Sequence, residues 1–207
     1  MAIDHLGQRC GGLVITLTEL LWALIGLLLT IGGNFLHASI VGLPWSWTSQ
    51  AIPSHFIGVN YQIGAVLFVG CMGGRNAGVI SQVAYLLLGL AGFPFFVQGG
   101  GLGYVQEPMF GYLLGFLPGA WLCGYLAFRS QARLEWLAFC AISGLAVIHA
   151  IGASYLWATY LLNIAEGSKM TLNMALTIYS VSLLPGQLAV VCAVSVLAFI
   201  MRKMLFY

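Results

Sequence analysis

An all-α integral membrane protein of six transmembrane helices is what this sequence predicts, on three observations. Hydrophobic residues make up 61% of its 207 positions and charged residues only 6%, whereas about a quarter of a soluble domain is charged. The apolar residues fall into runs long enough to cross the roughly 30 Å hydrocarbon core of a bilayer. The few charges mostly stand between those runs. The chain reads as one membrane domain over 1–207, with the lipid bilayer as its solvent. A net charge of +2 with no basic block excludes nucleic-acid binding.

The first apolar run extends over 13–35 and is read as a retained helix 1, since it is far longer than the core of a cleaved leader. Glu19 stands in its early turns, as a packing carboxylate or as a partner or proton group. The segment 36–54 carries Pro44, Pro53, Trp45 and Trp47, the composition of an interfacial anchor or of a cap over a site. Helix 2 is expected over 55–72, with Asn60, Tyr61 and Gln62 in its first half. Amides in hydrocarbon need partners and so face the bundle, for helix packing or for substrate.

A short turn, GGRNAG at 73–78, leads to helix 3 over 79–95. Helix 4 covers 110–128, and Gly111, Gly115 and Gly119 recur at intervals of four on one face, where they permit close packing. Helix 5 covers 136–161. Helix 6 covers 174–201 and is interrupted by Pro185, Gly186 and Gln187; proline removes an amide donor, so this is either a passive kink or a broken helix beside a site.

Between helices 3 and 4 lies a glycine-rich polar stretch. It holds Gly99, Gly100, Gly101 and Gly103, the amides Gln98 and Gln106, and Glu107. Glycine permits close backbone approach and conformations that other residues resist. Such a connector is either an irregular turn or part of a site.

Six spans place both termini on one face, with Arg9, Arg75, Arg129, Arg133, Arg202 and Lys203, while Lys169 alone falls on the other. That bias makes the termini cytoplasmic. The loops 36–54, 96–109 and 163–173 then share the outer face and could enclose a polar small molecule.

Chemistry is not expected. No hydrolase constellation is visible: Ser154 and His149 are five apart on different faces of one helix, Ser54 and His55 are merely adjacent, and there is no GxSxG. Five cysteines lack a CxxC pair and four histidines lack a compact metal pattern, so neither a metal nor another cofactor is expected. A phosphate-binding GxxxxGK[ST] loop is missing too, so any active uptake must draw its energy from another chain.

Three blocks resemble the BioY family, the biotin-binding substrate (S) components of energy-coupling factor (ECF) transporters. They are IPSHFIGVNYQIGAVLFVG at 52–70, GVISQVAYLLLGLAGFP at 78–94, and the stretch from Phe93 containing Pro108 and GYLLGF at 111–116. The resemblance implies a compact six-helix S-component bundle in a bacterial inner or plasma membrane. It also implies capture of extracellular biotin and association with a transmembrane coupling subunit and two cytoplasmic ATPases. Alternatives are an S component for another vitamin or a biotin precursor, or a non-transporting scaffold protein.

On that resemblance the expected substrate contacts are Gln98, Tyr104, Glu107, Tyr112 and Gln187, with Gln62 and Tyr85 behind them. Gly99, Gly100, Gly101 and Gly103 would supply backbone approach. The sequence departs from the family in two places. Where the family usually reads PGDLLK, residues 185–190 read PGQLAV, so Gln187 replaces an acid and Val190 a lysine. Lys169 or the loop amides would then have to meet the biotin carboxylate. Phe110 stands where a glycine is common and would narrow the pocket or add stacking area.

Overall fold

The structure, a computed structural model, describes residues 15–41, 54–97, 99–162 and 171–205. Helix α1 (Leu17–Phe35) starts with a capping box, in which the Glu19 amide donates to Thr16 Oγ1 and the Thr16 amide to Glu19 Oε2. Asn76 Nδ2 also donates to Glu19 Oε1 at 2.7 Å. Glu19 therefore has a local structural use. The helix buries its small and polar positions, Ala23, Gly26, Thr30, Gly33 and Asn34, and exposes Leu17, Leu20, Leu21, Leu24 and Leu28. A soluble helix does the reverse. In lipid there is no hydrophobic gain from burying leucine, so close backbone approach and hydrogen bonds decide which face turns inward.

Two strands that the sequence did not announce follow. β1 (His37–Val41) pairs antiparallel with β2 (Ser54–Asn60), with His37 opposite Asn60 and Val41 opposite Ser54. This hairpin replaces the expected first turns of helix 2, which instead begins at Gln62. The tryptophan-bearing part of the expected cap, residues 42–53, lies outside the described residues.

Helix α2 (Gln62–Leu90) absorbs both expected helices 2 and 3. Its backbone leaves helical geometry at Gly74 alone, where φ is 79° and ψ −175°. That residue folds the run back on itself. In a straight helix Gln62 and Tyr85 would stand about 35 Å apart, yet Gln62 Nε2 donates to the Tyr85 hydroxyl at 2.7 Å. A Cβ on Gly26 of α1 would touch Val69 from one arm and Ser81 from the other, at 2.8 and 2.9 Å. The expected six separate spans are thus corrected. Among the described residues, five helical runs are long and apolar enough to cross a membrane, and one of them is a two-armed hairpin hinged at Gly74. The expected GGRNAG loop shrinks to one glycine because only φ > 0 is needed to turn the chain there.

Helix α3 (Phe110–Ala127) packs along α4 (Leu134–Leu161) through the predicted glycine face. A Cβ on Gly115 would meet the Ile148 carbonyl oxygen at 2.9 Å, and one on Gly119 the Gly144 oxygen at 3.0 Å. The expected helix 6 is a short α5 (Leu172–Leu176), a π-helical turn over Thr177–Val181, and α6 (Leu184–Leu205). The break thus precedes Pro185 instead of centring on it. Proline costs little in the first turn of a helix, where its missing N–H has no intrahelical partner.

The bundle has two unlike ends. Arg75 follows the hinge, Arg129 and Arg133 lie between α3 and α4, and Arg202 Nη1 donates to the Ala127 carbonyl at 2.8 Å. At the opposite end stand Asn34, the strand residue Asn60, Gln62, Tyr112 and Gln187, where a cavity opens.

Candidate functional site

Ends of six elements, counting the hairpin as one, converge on this cavity of about 510 Å³. Asn34 comes from the last turn of α1, His37 and Asn60 from the hairpin, Gln62 from the first residue of α2, Tyr112 from the first turn of α3, Tyr179 from the π turn, and Gln187 from the first turn of α6. Phe96, Leu113, Phe116 and Leu183 supply apolar walls. Size and composition are those of a small-molecule site: apolar walls with a few placed polar groups. Among the described lining residues there is no Asp, Glu, Lys or Arg.

One side is a hydrogen-bonded amide platform. Gln62, 5% exposed, donates through Nε2 to the Tyr85 hydroxyl. That hydroxyl donates to the Phe95 carbonyl at 3.0 Å. Its single proton is committed there, so it can only accept from Gln62, and the nitrogen of the Gln62 amide must face it. The Gln62 oxygen is left for the cavity. Asn34 Nδ2 donates to the same Phe95 carbonyl at 2.9 Å, and Asn60 Nδ2 to Asn34 Oδ1 at 3.0 Å. Each amide is held by a neighbour, so the platform is pre-organised.

The other side is anchored on α4. Gln187, 6% exposed, places Oε1 at 2.5 Å from His149 Nε2, which leaves its NH₂ for the cavity. His149 Nδ1 stands 3.3 Å from Ser180 Oγ, and Ser180 Oγ 2.5 Å from the Tyr112 hydroxyl. Glycine makes room for this arrangement, because a Cβ on Gly152 would collide with the Tyr112 ring. Val190, at the position where the family resemblance leads one to expect a lysine, is 4% exposed and packs with Ala38 and Val59 of the hairpin. It helps seat the hairpin.

The expected site residues divide accordingly. Gln62, Tyr112 and Gln187 line the cavity, and Tyr85 stands behind Gln62. Tyr104 and Phe110 do not line it. They are buried in an aromatic row in which Phe96 packs on Tyr104 at a 41° tilt, 4.6 Å between ring centres, and Phe110 meets Tyr104 and Tyr155 edge to face. Burial, with Glu107 and Tyr179 nearby, pushes the Tyr104 hydroxyl up to about 12, so it is neutral at physiological pH.

Gly99, Gly100, Gly101 and Gly103 also stay off the cavity lining. A Cβ on Gly100 would collide with the Phe93 carbonyl and stand 2.7 Å from that of Gly89, and the Gly101 amide donates to the Gly89 carbonyl. These glycines close on the chain's own helix end. Glu107 is half-buried in the turn before α3, its amide bonded to the Tyr104 carbonyl. Gln98 and Lys169 lie outside the described residues.

The sequence does not assign Asn34, Tyr179 or Ser180 to the site, and it weighs His37 only as a metal ligand and His149 only as a metal ligand or a base for Ser154. A signal existed for His149, since an ionisable residue within an apolar run marks a functional position by default. None existed for Ser180, which depends on the π turn.

Comparison with known proteins agrees with this architecture. The fold matches a crystal structure of the S-component for biotin from an ECF-type ABC transporter with a TM-score of 0.66, over 89% of this chain and 90% of that one, at 22% identity. A 21.2 kDa uncharacterised protein from the psbX-ycf33 intergenic region of Cyanophora paradoxa is 28% identical over 90% of this chain and 95% of its own length. A probable biotin transporter BioY of Lysinibacillus sphaericus is 42% identical over 51% of this chain and 55% of that protein. The biotin transporter BioY of Thermotoga maritima is 31% identical over 58% and 68% respectively. The model of the BioY family matches residues 35–206, every described element after α1, and on that match the chain belongs to the BioY family.

Proposed function

We propose that this chain captures biotin outside the cell as the S component of an ECF-type uptake transporter in the bacterial plasma membrane. The observation that carries the reading is the pair of amides facing one cavity with opposite ends: Gln62 presents its oxygen, and Gln187 its NH₂. A cyclic urea carries both complements, N–H donors and a carbonyl acceptor. The apolar walls suit the fused thiophane ring and the valeryl chain. Relatives named as biotin transporters in Lysinibacillus sphaericus, Thermotoga maritima and Rhizobium etli support the same ligand.

Within this reading Gln62, Tyr112 and Gln187 contact the ligand directly, and Tyr85 holds Gln62. Tyr104 and Phe110 support the lining residue Phe96 from behind, Gly99, Gly100, Gly101 and Gly103 turn the chain beside the cavity, and Gln98 and Glu107 are ligand contacts on the family resemblance. On the family resemblance, Lys169 or the loop amides would meet the biotin carboxylate. Counting the α2 hairpin as two passes gives six, which puts both termini in the cytoplasm and the cavity outside by the positive-inside rule. Transport energy then comes from a coupling subunit and two ATPases.

Isothermal titration of the purified protein in detergent tests the reading. Biotin should bind one to one with a submicromolar Kd. No heat at micromolar protein, with heat for another vitamin such as thiamine or riboflavin, would give the site a different substrate.

A further inference from the structure

His149 sits in the middle of α4, off the cavity lining, yet both of its ring nitrogens are engaged toward groups that reach the cavity. The chain of contacts is Tyr112 Oη, Ser180 Oγ, His149 Nδ1, His149 Nε2, Gln187 Oε1, at 2.5, 3.3 and 2.5 Å across the three gaps. The two terminal residues, Tyr112 and Gln187, line the cavity. A neutral imidazole donates from one nitrogen and accepts at the other. A hydroxyl has one proton to give. While the imidazole is neutral, these rules leave the chain only two self-consistent states.

In the first, Tyr112 donates to Ser180, Ser180 to His149 Nδ1, and His149 Nε2–H to the Gln187 oxygen. The cavity then meets the NH₂ of Gln187 and the lone pairs of Tyr112. In the second every bond is reversed: the Gln187 amide turns and donates to Nε2, Nδ1–H donates to Ser180, Ser180 donates to Tyr112, and the phenol proton faces the cavity. Any mixed state leaves a partly buried polar atom without a partner or sets two protons against each other, at a cost that low-dielectric surroundings enlarge.

We propose that His149 is a positioning residue for ligand recognition, which couples Gln187 and Tyr112 so that one presents a donor whenever the other presents an acceptor. The site therefore selects a neutral head group carrying an acceptor and a donor on adjacent edges. This rests on the biotin reading for the ligand, but the coupling itself is a property of the unliganded protein. It also gives the neutral Gln187 a use: a carboxylate there could only accept, and the relay would lose one of its states.

The test combines two readouts on the full chain. Biotin titration of wild type, His149→Phe, Gln187→Ala and the double variant forms a cycle, with Ser180→Ala as a second cut should His149→Phe fail to fold. His149→Phe is expected to weaken biotin about tenfold or more, His149→Gln to recover part of that loss, and His149→Phe in the Gln187→Ala background to add little. Additive losses, or no loss from either His149→Phe or Ser180→Ala, would overturn the coupling. The ¹⁵N shifts of His149 in ligand-free protein are the second readout. A single neutral tautomer that changes on Gln187→Ala supports the relay. An unchanged spectrum overturns it, even if biotin binding to wild type fails and removes the substrate reading alone.

Discussion

Gln62 shows how much of this site's specificity depends on a neighbour. It is the first residue of α2, buried to 5% exposure, and the Tyr85 hydroxyl bonded to Phe95 decides which end of its amide faces the cavity. Replacing it with leucine of similar volume should remove one hydrogen bond to the ligand and leave the Tyr85 hydroxyl with its Phe95 bond. A loss of about 1–2 kcal/mol in binding, roughly tenfold in Kd, is expected, with the thermal midpoint nearly unchanged. Tyr85→Phe should cost less, because it frees the amide to rotate without deleting it. Equal affinity for wild type and Gln62→Leu by titration would remove Gln62 from the ligand's contacts. That Gln62 mattered was legible from its being an amide inside an apolar run. Which of its atoms faces the ligand was not, because that depends on the proton of a residue 23 positions away.

Among the elements, the helices were legible and their joints were not. Apolar runs bounded by charge predict spans directly, and the positions of α1, α3 and α4 follow that expectation to within a few residues. The hairpin of β1 and β2 escaped because its second strand, SHFIGVN, continues into the apolar run of α2 and mimics the start of a helix. The turn at 73–78 was overestimated because its polar composition suggested a loop, whereas one glycine at φ 79° suffices. Gly74→Ala should accordingly cost about 1–3 kcal/mol through backbone strain alone, since its Cβ would meet nothing nearer than 3.5 Å. Gly100→Ala should cost more, because its Cβ collides with the Phe93 carbonyl and cannot be relieved by a side-chain rotation. The midpoint of thermal unfolding in detergent, followed by tryptophan fluorescence, should therefore fall in the order wild type, Gly74→Ala, Gly100→Ala. A midpoint for Gly100→Ala equal to wild type would show that the glycine loop does not close on α2 as described.

At the scale of the whole molecule, the unlike ends give the protein a direction. Arg75, Arg129, Arg133 and Arg202 gather where the α2 hairpin turns and where α6 ends, and the cavity opens at the far end. A fluorescent protein fused after Tyr207 should fold and fluoresce, whereas alkaline phosphatase at the same position should stay inactive, as a cytoplasmic C-terminus requires. The reverse pattern would turn the cavity toward the cytoplasm and end the capture reading. The gathering of basic residues at one end and a small-molecule site at the other were legible in the sequence, but the full lining of the cavity was not. It is built from the ends of six elements, and Ser180, which bonds the lining residue Tyr112, is presented by a π turn that no composition or periodicity announces. The glycine-rich stretch drew attention for its composition, and its described glycines serve a tight return of the chain beside the site.

The most direct measurement is a structure of the protein determined with biotin at saturation. The bicyclic head should lie in the cavity with a ureido nitrogen within hydrogen-bonding distance of Gln62 Oε1 and the ureido oxygen beside Gln187. A bicyclic ligand bound elsewhere, or an empty cavity in protein that has demonstrably bound biotin, would contradict the assignment of this cavity as the capture site.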